Sequence, residues 1–299
     1  MFIFARDYEL TVSKWGGQTK SWSSGDVIGV LVTGVILIIL FCVLSYFQQE
    51  RSLLPPRIFT MRHIWVNMAF IFFFSGSFFV TVYYLPIYFQ VVSGVNASQS
   101  GIRNLPVIIA MVIFTIFSGG LISKTGHYLA WIVLAGIFST VGSGLIYTLQ
   151  EHSPSSKWIG YQVVSGIGYG CGIQLAIIVG QSLSDPSDLT AVTAAMLTAQ
   201  TLGGAIWIGA AEAAFTNTIL NKLPFTAPSI DPKSIINIGV TDIRTVFPPD
   251  VVPGVIQAYL DGVHVNFALS IALAGVAFCF SLASKRVNLT PQAAVGGAV

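Results

Sequence analysis

The chain has 299 residues, of which 54% are hydrophobic and 9% charged, with a formal net charge of +2 and a mean hydropathy of +0.77. An ordinary soluble domain carries roughly 25% charged residues, so a water-exposed globule is excluded and lipid is the solvent this composition fits. So small a net charge gives no basis for nucleic-acid binding.

A hydrocarbon layer about 30 Å thick takes roughly 20 apolar residues as helix. Seven segments meet that length: 27–47, 64–90, 102–122, 129–149, 158–181, 190–215 and 263–284. Their apolar runs are continuous, whereas the strands of a membrane barrel alternate. The expected fold class is an all-α integral membrane protein of about seven transmembrane helices, multi-pass, with the lipid bilayer as its first partner.

In chain order, residues 1–26 precede the first span. Met1–Leu10 lacks the basic start and long apolar stretch of a signal peptide, so the first span is expected to act as its own insertion signal. The second span is long enough to tilt or to kink at Pro86. The sixth is rich in Ala and Thr and should face protein more than lipid. Residues 216–262 hold Pro224, Pro228, Pro232, Pro248, Pro249 and Pro253 with scattered charges, and read as an exposed loop. Residues 287–299 are small and polar, a tail expected to be disordered.

Lys and Arg near the span ends set orientation. Arg51, Arg57, Arg62, Lys124, Lys285 and Arg286 fall on one side, which is expected to be cytoplasmic. Lys14, Lys20, Arg103 and Lys157 fall on the other, so the bias is shallow. It puts the N-terminus outside and the C-terminus inside. The sequon Asn96-Ala97-Ser98 then faces outward, too close to the membrane for ready glycosylation.

No catalytic constellation is visible, and an enzyme is not expected. His63, His127, His152 and His264 sit at span ends or in loops, without partners at ligand spacing. No metal-ligand, nucleophile-elbow or phosphate-loop motif occurs, and no cofactor is implied. Cys42, Cys171 and Cys279 are isolated in apolar runs and read as small packing residues.

Polar residues inside the spans carry more information, because unpaired amides are costly in hydrocarbon. Gln174 and Gln181 on the fifth span are seven residues apart and point almost the same way. Thr193, Gln200, Gly204 and Trp207 share one face of the sixth. Together they read either as a cavity wall, with amides to hydrogen-bond and an indole to stack, or as interhelical hydrogen bonding. Tyr83 and Tyr84 fit either an interfacial aromatic belt or the mouth of a pathway.

Gly166, Gly168, Gly170 and Gly172 give overlapping small-residue spacings that let other helices approach. Such a contact serves static packing and sliding alike. Glu212 is the sole acidic residue well inside an apolar segment, and so a candidate for proton coupling. Helical phase sets it about 120° from the Gln200 face.

Several strings together resemble a known family. They are Ser52–Phe59, with Pro55, Pro56 and Arg57; Tyr83–Gln90, with Pro86; Ser100, Gly101, Asn104, Leu105 and Pro106; and Gly119–Tyr128. The glycine run 166–172 with Gln174, Phe215–Asn217, Trp15–Gly17 and Trp22–Ser24 complete the set. This resembles the fourteen-helix drug:proton antiporter branch of the major facilitator superfamily, of the fungal toxin or multidrug efflux type, over its C-terminal half only.

The resemblance implies that the first span is peripheral, that residues 27–63 comprise it and a cytoplasmic linker, and that 64–286 form the six-helix C-terminal bundle. Lys124 and Gly126 then fall in the family's basic cytoplasmic loop. It further implies efflux of small amphipathic compounds (toxins, drugs, secondary metabolites) by proton antiport, at the plasma membrane, through alternating access. The amino-terminal bundle is missing, and Ala5–Lys14 stand where the family has an apolar stretch. A truncated gene product, a misassigned start or a half-transporter is therefore expected, the half needing a second bundle or a second copy of itself. A non-transporting remnant or partner of a full-length pump is the alternative. A seven-helix receptor fits less well: the seventh span has no lysine, and the third ends Ser123-Lys124-Thr125-Gly126 without an acidic-Arg-aromatic switch.

Overall fold

The computed structural model describes residues 25–48, 55–231, 235 and 243–284. The expected outer segment up to Ser24, the tail 287–299, and Arg51, Lys285 and Arg286 lie outside the described residues. Those described form helices and no strands. α1 is Gly25–Gln48, α2 Pro56–Thr60 and α3 Arg62–Val91. Next come α4 Ala97–Arg103, α5 Leu105–Thr125, α6 Tyr128–Tyr147 and α7 Ser155–Ser182. A 3-10 turn at Pro186–Asp188 leads into α8 Leu189–Thr226, followed by α9 Ile243–Val246 and α10 Val252–Leu282.

Among the described residues, six helices are long and apolar enough to cross a membrane: α3, α5 with α4, α6, α7, α8 and α10. α1 matches the first expected span in length and apolar sequence. Ile28, Val32, Ile36, Ile39, Leu40, Val43, Leu44 and Phe47 on it are exposed, as suits a helix bathed in lipid. α7 packs between α5 and α6, and α10 against α3, α6 and α8, with α3 also on α7 and α8.

The exposed loop expected over 216–262 is much shorter than that. α8 runs on to Thr226 through Pro224, and α10 begins at Val252. Hydropathy ends where charge begins, but a helix continues while it has something to pack on. Ile219 and Leu223 are buried in one cluster with Val255, Ile256 and Tyr259, and Lys222 reaches Asp261 at 3.9 Å. Pro253 lies in the first turn of α10, where a missing N–H costs nothing.

The two ends of the bundle are closed differently. At the inner end, so named from the charge rule, Arg57 of α2 grips Asp188 with both guanidinium arms, at 2.8 and 2.6 Å. Asp188 is buried and immediately precedes α8. The bidentate pair therefore ties the start of α3 to the start of α8, and its carboxylate suits the positive end of α8. Lys124 lies in the last turn of α5, and Gly126 ends that helix at φ 69°, a conformation glycine adopts freely. At the outer end, Arg244 donates to the carbonyls of Val91 and Val92 at 3.4 and 3.2 Å, capping α3 from far along the chain. Gly94, at φ 66°, leaves room beneath that guanidinium.

Pro86 lies inside α3. It has no N–H to give the carbonyl of Val82, and lipid supplies no substitute. The Asn104 amide donates to that carbonyl at 3.4 Å, and Ser100 Oγ donates to the Pro86 carbonyl at 2.8 Å. The Ser100/Asn104 spacing and Pro86 thus form one structural unit. Asn104→Leu should destabilise the protein by about 1 kcal/mol through the stranded carbonyl, and the cost should largely vanish in a Pro86→Ala background, where the helix satisfies itself. Thermal unfolding of the four proteins in detergent checks this cycle.

Candidate transport face and the buried hydroxyl cluster

The glycine run of α7 serves two faces. A methyl on Gly166 would meet Val107 O and Ala110 of α5, and one on Gly170 the Met111 backbone of the same helix. Gly168 faces Ser139 of α6 instead, while Gly172 meets Phe74 of α3 and Ala135 of α6. Both contacts are backbone-close. Thr115 Oγ1 bridges one of them, donating to Gly170 O at 3.0 Å.

Between these glycines Tyr169 points into the centre of the bundle, fully buried. Its hydroxyl lies 3.1 Å from Ser77, 3.0 Å from Thr81 and 3.0 Å from Ser143. Ser270 of α10 completes the group, 2.9 Å from Ser77, 2.7 Å from Thr81 and 3.2 Å from Ser143. Five hydroxyls from α3, α6, α7 and α10 satisfy one another where lipid and water have no access. None was a candidate from sequence. The signal that could have found part of it is Ser77, Thr81, Tyr84 and Tyr88, one polar face of α3.

The candidate pathway residues do not converge on one chamber. Gln174 is exposed, in a shallow groove between α5 and α7 with Thr115, Ser118 and Ser123. That groove includes neither Gln200 nor Trp207. Gln181 Nε2 donates to Thr193 Oγ1 at 2.7 Å, joining α7 to α8 near the inner end. Gln200 is half-buried, and its backbone carbonyl accepts from Ser75 Oγ at 2.9 Å, close to where Gly203 meets the Phe72 backbone. The Trp207 indole packs against Gly76, with Phe72 at 6.1 Å and Phe73 at 5.7 Å between ring centroids. It packs edge-on and tilted against the protein's own rings, and its buried Nε1 has no acceptor.

The Tyr83 and Tyr84 rings touch, with centroids 5.3 Å apart. Both phenols lie within electrostatic reach of the Glu212 carboxylate. Tyr83 is 53% exposed, Tyr84 1%. Phe215, one turn beyond Glu212, sits 5.3 Å from Tyr84. The face of α8 that phase sets apart from Gln200 is thus turned toward α3 at the outer half of the bundle. Among the described residues, no group of three His, Cys, Asp or Glu side chains is placed to hold a metal ion.

A bundle of apolar helices knit by buried hydroxyls, with amides and aromatics on half-exposed faces, is the build of a multi-pass membrane protein. Residues 11–208 match the family model of the Major Facilitator Superfamily, and the chain belongs to that family. It is 39% identical to the MFS-type transporter grgE of a Penicillium species over 90% of this chain and 48% of the relative. It is 35% identical to the MFS-type transporter astH of Aspergillus oryzae, over 94% and 50%. With the efflux pump bfoC of Aspergillus brasiliensis it shares 36% identity, over 96% and 51%. The chain spans about half the length of the curated relatives it matches.

Gly76 is a tight contact behind Trp207: a methyl there would sit 2.7 Å from the indole Cγ. Gly76→Ala should therefore displace the ring and cost about 1–3 kcal/mol. Combining it with Trp207→Ala should restore the α3–α8 fit. The check is unfolding temperature together with the shift in tryptophan emission.

Proposed function

We propose that this chain forms one wall of an efflux pathway for small amphipathic compounds, driven by proton antiport, in the plasma membrane. The observation that carries the reading is an acidic side chain, Glu212, inside the apolar helix α8 at the outer half of the bundle, within electrostatic reach of Tyr83 and Tyr84. A carboxylate inside a membrane span is costly unless it has work to do, and proton exchange is the commonest such work. Curated relatives named as efflux pumps support the direction of transport. The half-exposed Gln200 and exposed Gln174 supply hydrogen-bonding groups for a substrate, while Tyr83 offers a ring at the pathway mouth.

Alternating access needs a site between two bundles that rock about it. A single bundle supplies one wall, so the pathway needs a second bundle facing it. The inner ends, with Lys124 and Gly126, face the cytoplasm. The outer ends of α8 and α10, with Ser229 and Asp250 beside them, face outside. Single cysteines placed at Ser123 and Thr125 should react with impermeant maleimide only from the inside, and those at Ser229 and Asp250 only from the outside; the reverse pattern overturns this orientation.

Reconstituted alone as a monomer, the chain should show no proton-driven export. Co-reconstituted with the amino-terminal half of a relative, it should export a substrate of that relative, and Glu212→Gln should lower the rate at least about tenfold. Robust export by demonstrable monomer would remove the need for a second bundle. An unchanged rate in Glu212→Gln would remove its role in proton coupling. Correct pairing with no export under any gradient would favour a non-transporting partner instead.

A further inference from the structure

Asn266 of α10 is fully buried, and neither its amide oxygen nor its nitrogen reaches a hydrogen-bond partner. A buried amide left unsatisfied costs about 1–3 kcal/mol, so its position needs a reason. The side chain faces the Tyr84 hydroxyl without completing standard hydrogen-bond geometry to it.

That juxtaposition is fixed from below. Thr81 Oγ1 and Ser270 Oγ are 2.7 Å apart, which locks the register of α3 against α10. The two helices run antiparallel. One turn outward from Thr81 along α3 is Tyr84, and one turn outward from Ser270 along α10 is Asn266. The hydroxyl cluster therefore sets the amide and the phenol face to face. The phenol is also within electrostatic reach of Glu212, one turn before the Phe215 ring that packs on Tyr84 at 5.3 Å.

We propose that Asn266 is the positioning residue of the Glu212 site: its Nδ2 donates to Tyr84 Oη, so that the Tyr84 O–H is aimed at the Glu212 carboxylate. A phenol accepts one hydrogen bond well while donating another, and a chain ending on a carboxylate is charge-assisted along its length. The aligned donor makes the outer-half carboxylate a defined site. The other ionisable groups near this region are otherwise engaged or farther out. Tyr259 packs on Phe215 at 5.7 Å, and Asp261 pairs with Lys222 and accepts from Gln257 at 3.0 Å. His264 Nε2 is 2.7 Å from the Leu149 carbonyl, and Tyr83 is mostly exposed.

This inference rests on the reading of Glu212 as the proton-linked group, but its test does not need transport. The phenol C–O stretch reports whether a tyrosine donates a hydrogen bond. It is isolated for Tyr84 as the infrared difference between ring-labelled protein and its Tyr84→Phe variant. In the full chain the Tyr84 band should show a donor, and Asn266→Leu should abolish that signature, as should Glu212→Gln from the other side. Asn266→Ser, which keeps a hydrogen-bonding group, should restore part of it. If Asn266→Leu fails to fold, Asn266→Ala removes the amide without added bulk and is read in the same way. A Tyr84 donor band unchanged in folded Asn266→Leu or Asn266→Ala overturns the proposal, as does a Tyr84 that is no donor in the starting protein. A protein without proton-coupled export that nevertheless loses the band in these variants would defeat the transport reading and leave the positioning role standing.

Discussion

Tyr169 can hold four helices together only because the residues around it have no side chains. Gly166 and Gly170 bring the α5 backbone against one side of α7, and Gly168 and Gly172 bring α6 and Phe74 against the other. At that separation one phenol spans to hydroxyls on α3 and α6, and Ser270 brings in α10. In hydrocarbon the apolar surface of one helix gains nothing by leaving lipid for another helix. Close packing and interhelical hydrogen bonds must hold the bundle instead. Both come from the same stretch of α7. The hydroxyl cluster adds specificity that packing lacks, since sliding any one helix by a turn would strand several buried groups at once.

From that centre the rest of the bundle follows outward by the same rule, that every polar group in the apolar layer must find a protein partner. The break in α3 at Pro86 is met by Asn104 and Ser100. The carbonyls after α6 are met by Tyr88 and His264, at 2.7 Å each. Arg103 lies over the rings of Phe89 and Trp158 at 5.7 and 5.8 Å, and Gln162 donates to its carbonyl at 3.0 Å. These contacts gather α3, α4 and α7 at the outer end with few loop residues.

The spans were legible in the sequence because hydropathy over twenty residues is a sum, and sums tolerate local exceptions. Helix ends were not, since they depend on what lies alongside: Ile219 and Leu223 extend α8 only because α10 is there to bury them. The glycine run announced a close approach without naming the partners. Of the hydroxyl cluster, only the polar face of α3 left a trace in the sequence. A Ser or Thr in a helix satisfies itself by donating to the carbonyl four residues back, as Thr33, Ser123, Thr140 and Thr201 do here. Nothing local separates those from Ser77, Thr81 and Ser143. Trp207 was legible as an indole on a polar stripe, but its tight fit against Gly76 depends on an approach between α3 and α8 that phase alone does not reveal.

The placement of polar groups also separates what holds the bundle from what is left to act. The hydroxyl cluster, the Pro86 unit and the Arg57–Asp188 pair spend their hydrogen bonds on one another. Groups so engaged keep helices in fixed relation and have little left for a passing solute. Gln174 and Tyr83 are exposed, and Gln200 is half-buried, on the faces of α7, α3 and α8. Since a rocking mechanism moves a bundle as a rigid body, the interior should be saturated and the working face should not. Asn266, like the Trp207 indole nitrogen, is an exception: an interior amide without a hydrogen-bond partner, set against Tyr84. A group of that kind bears on both regions, because Tyr84 beside it lies within electrostatic reach of Glu212.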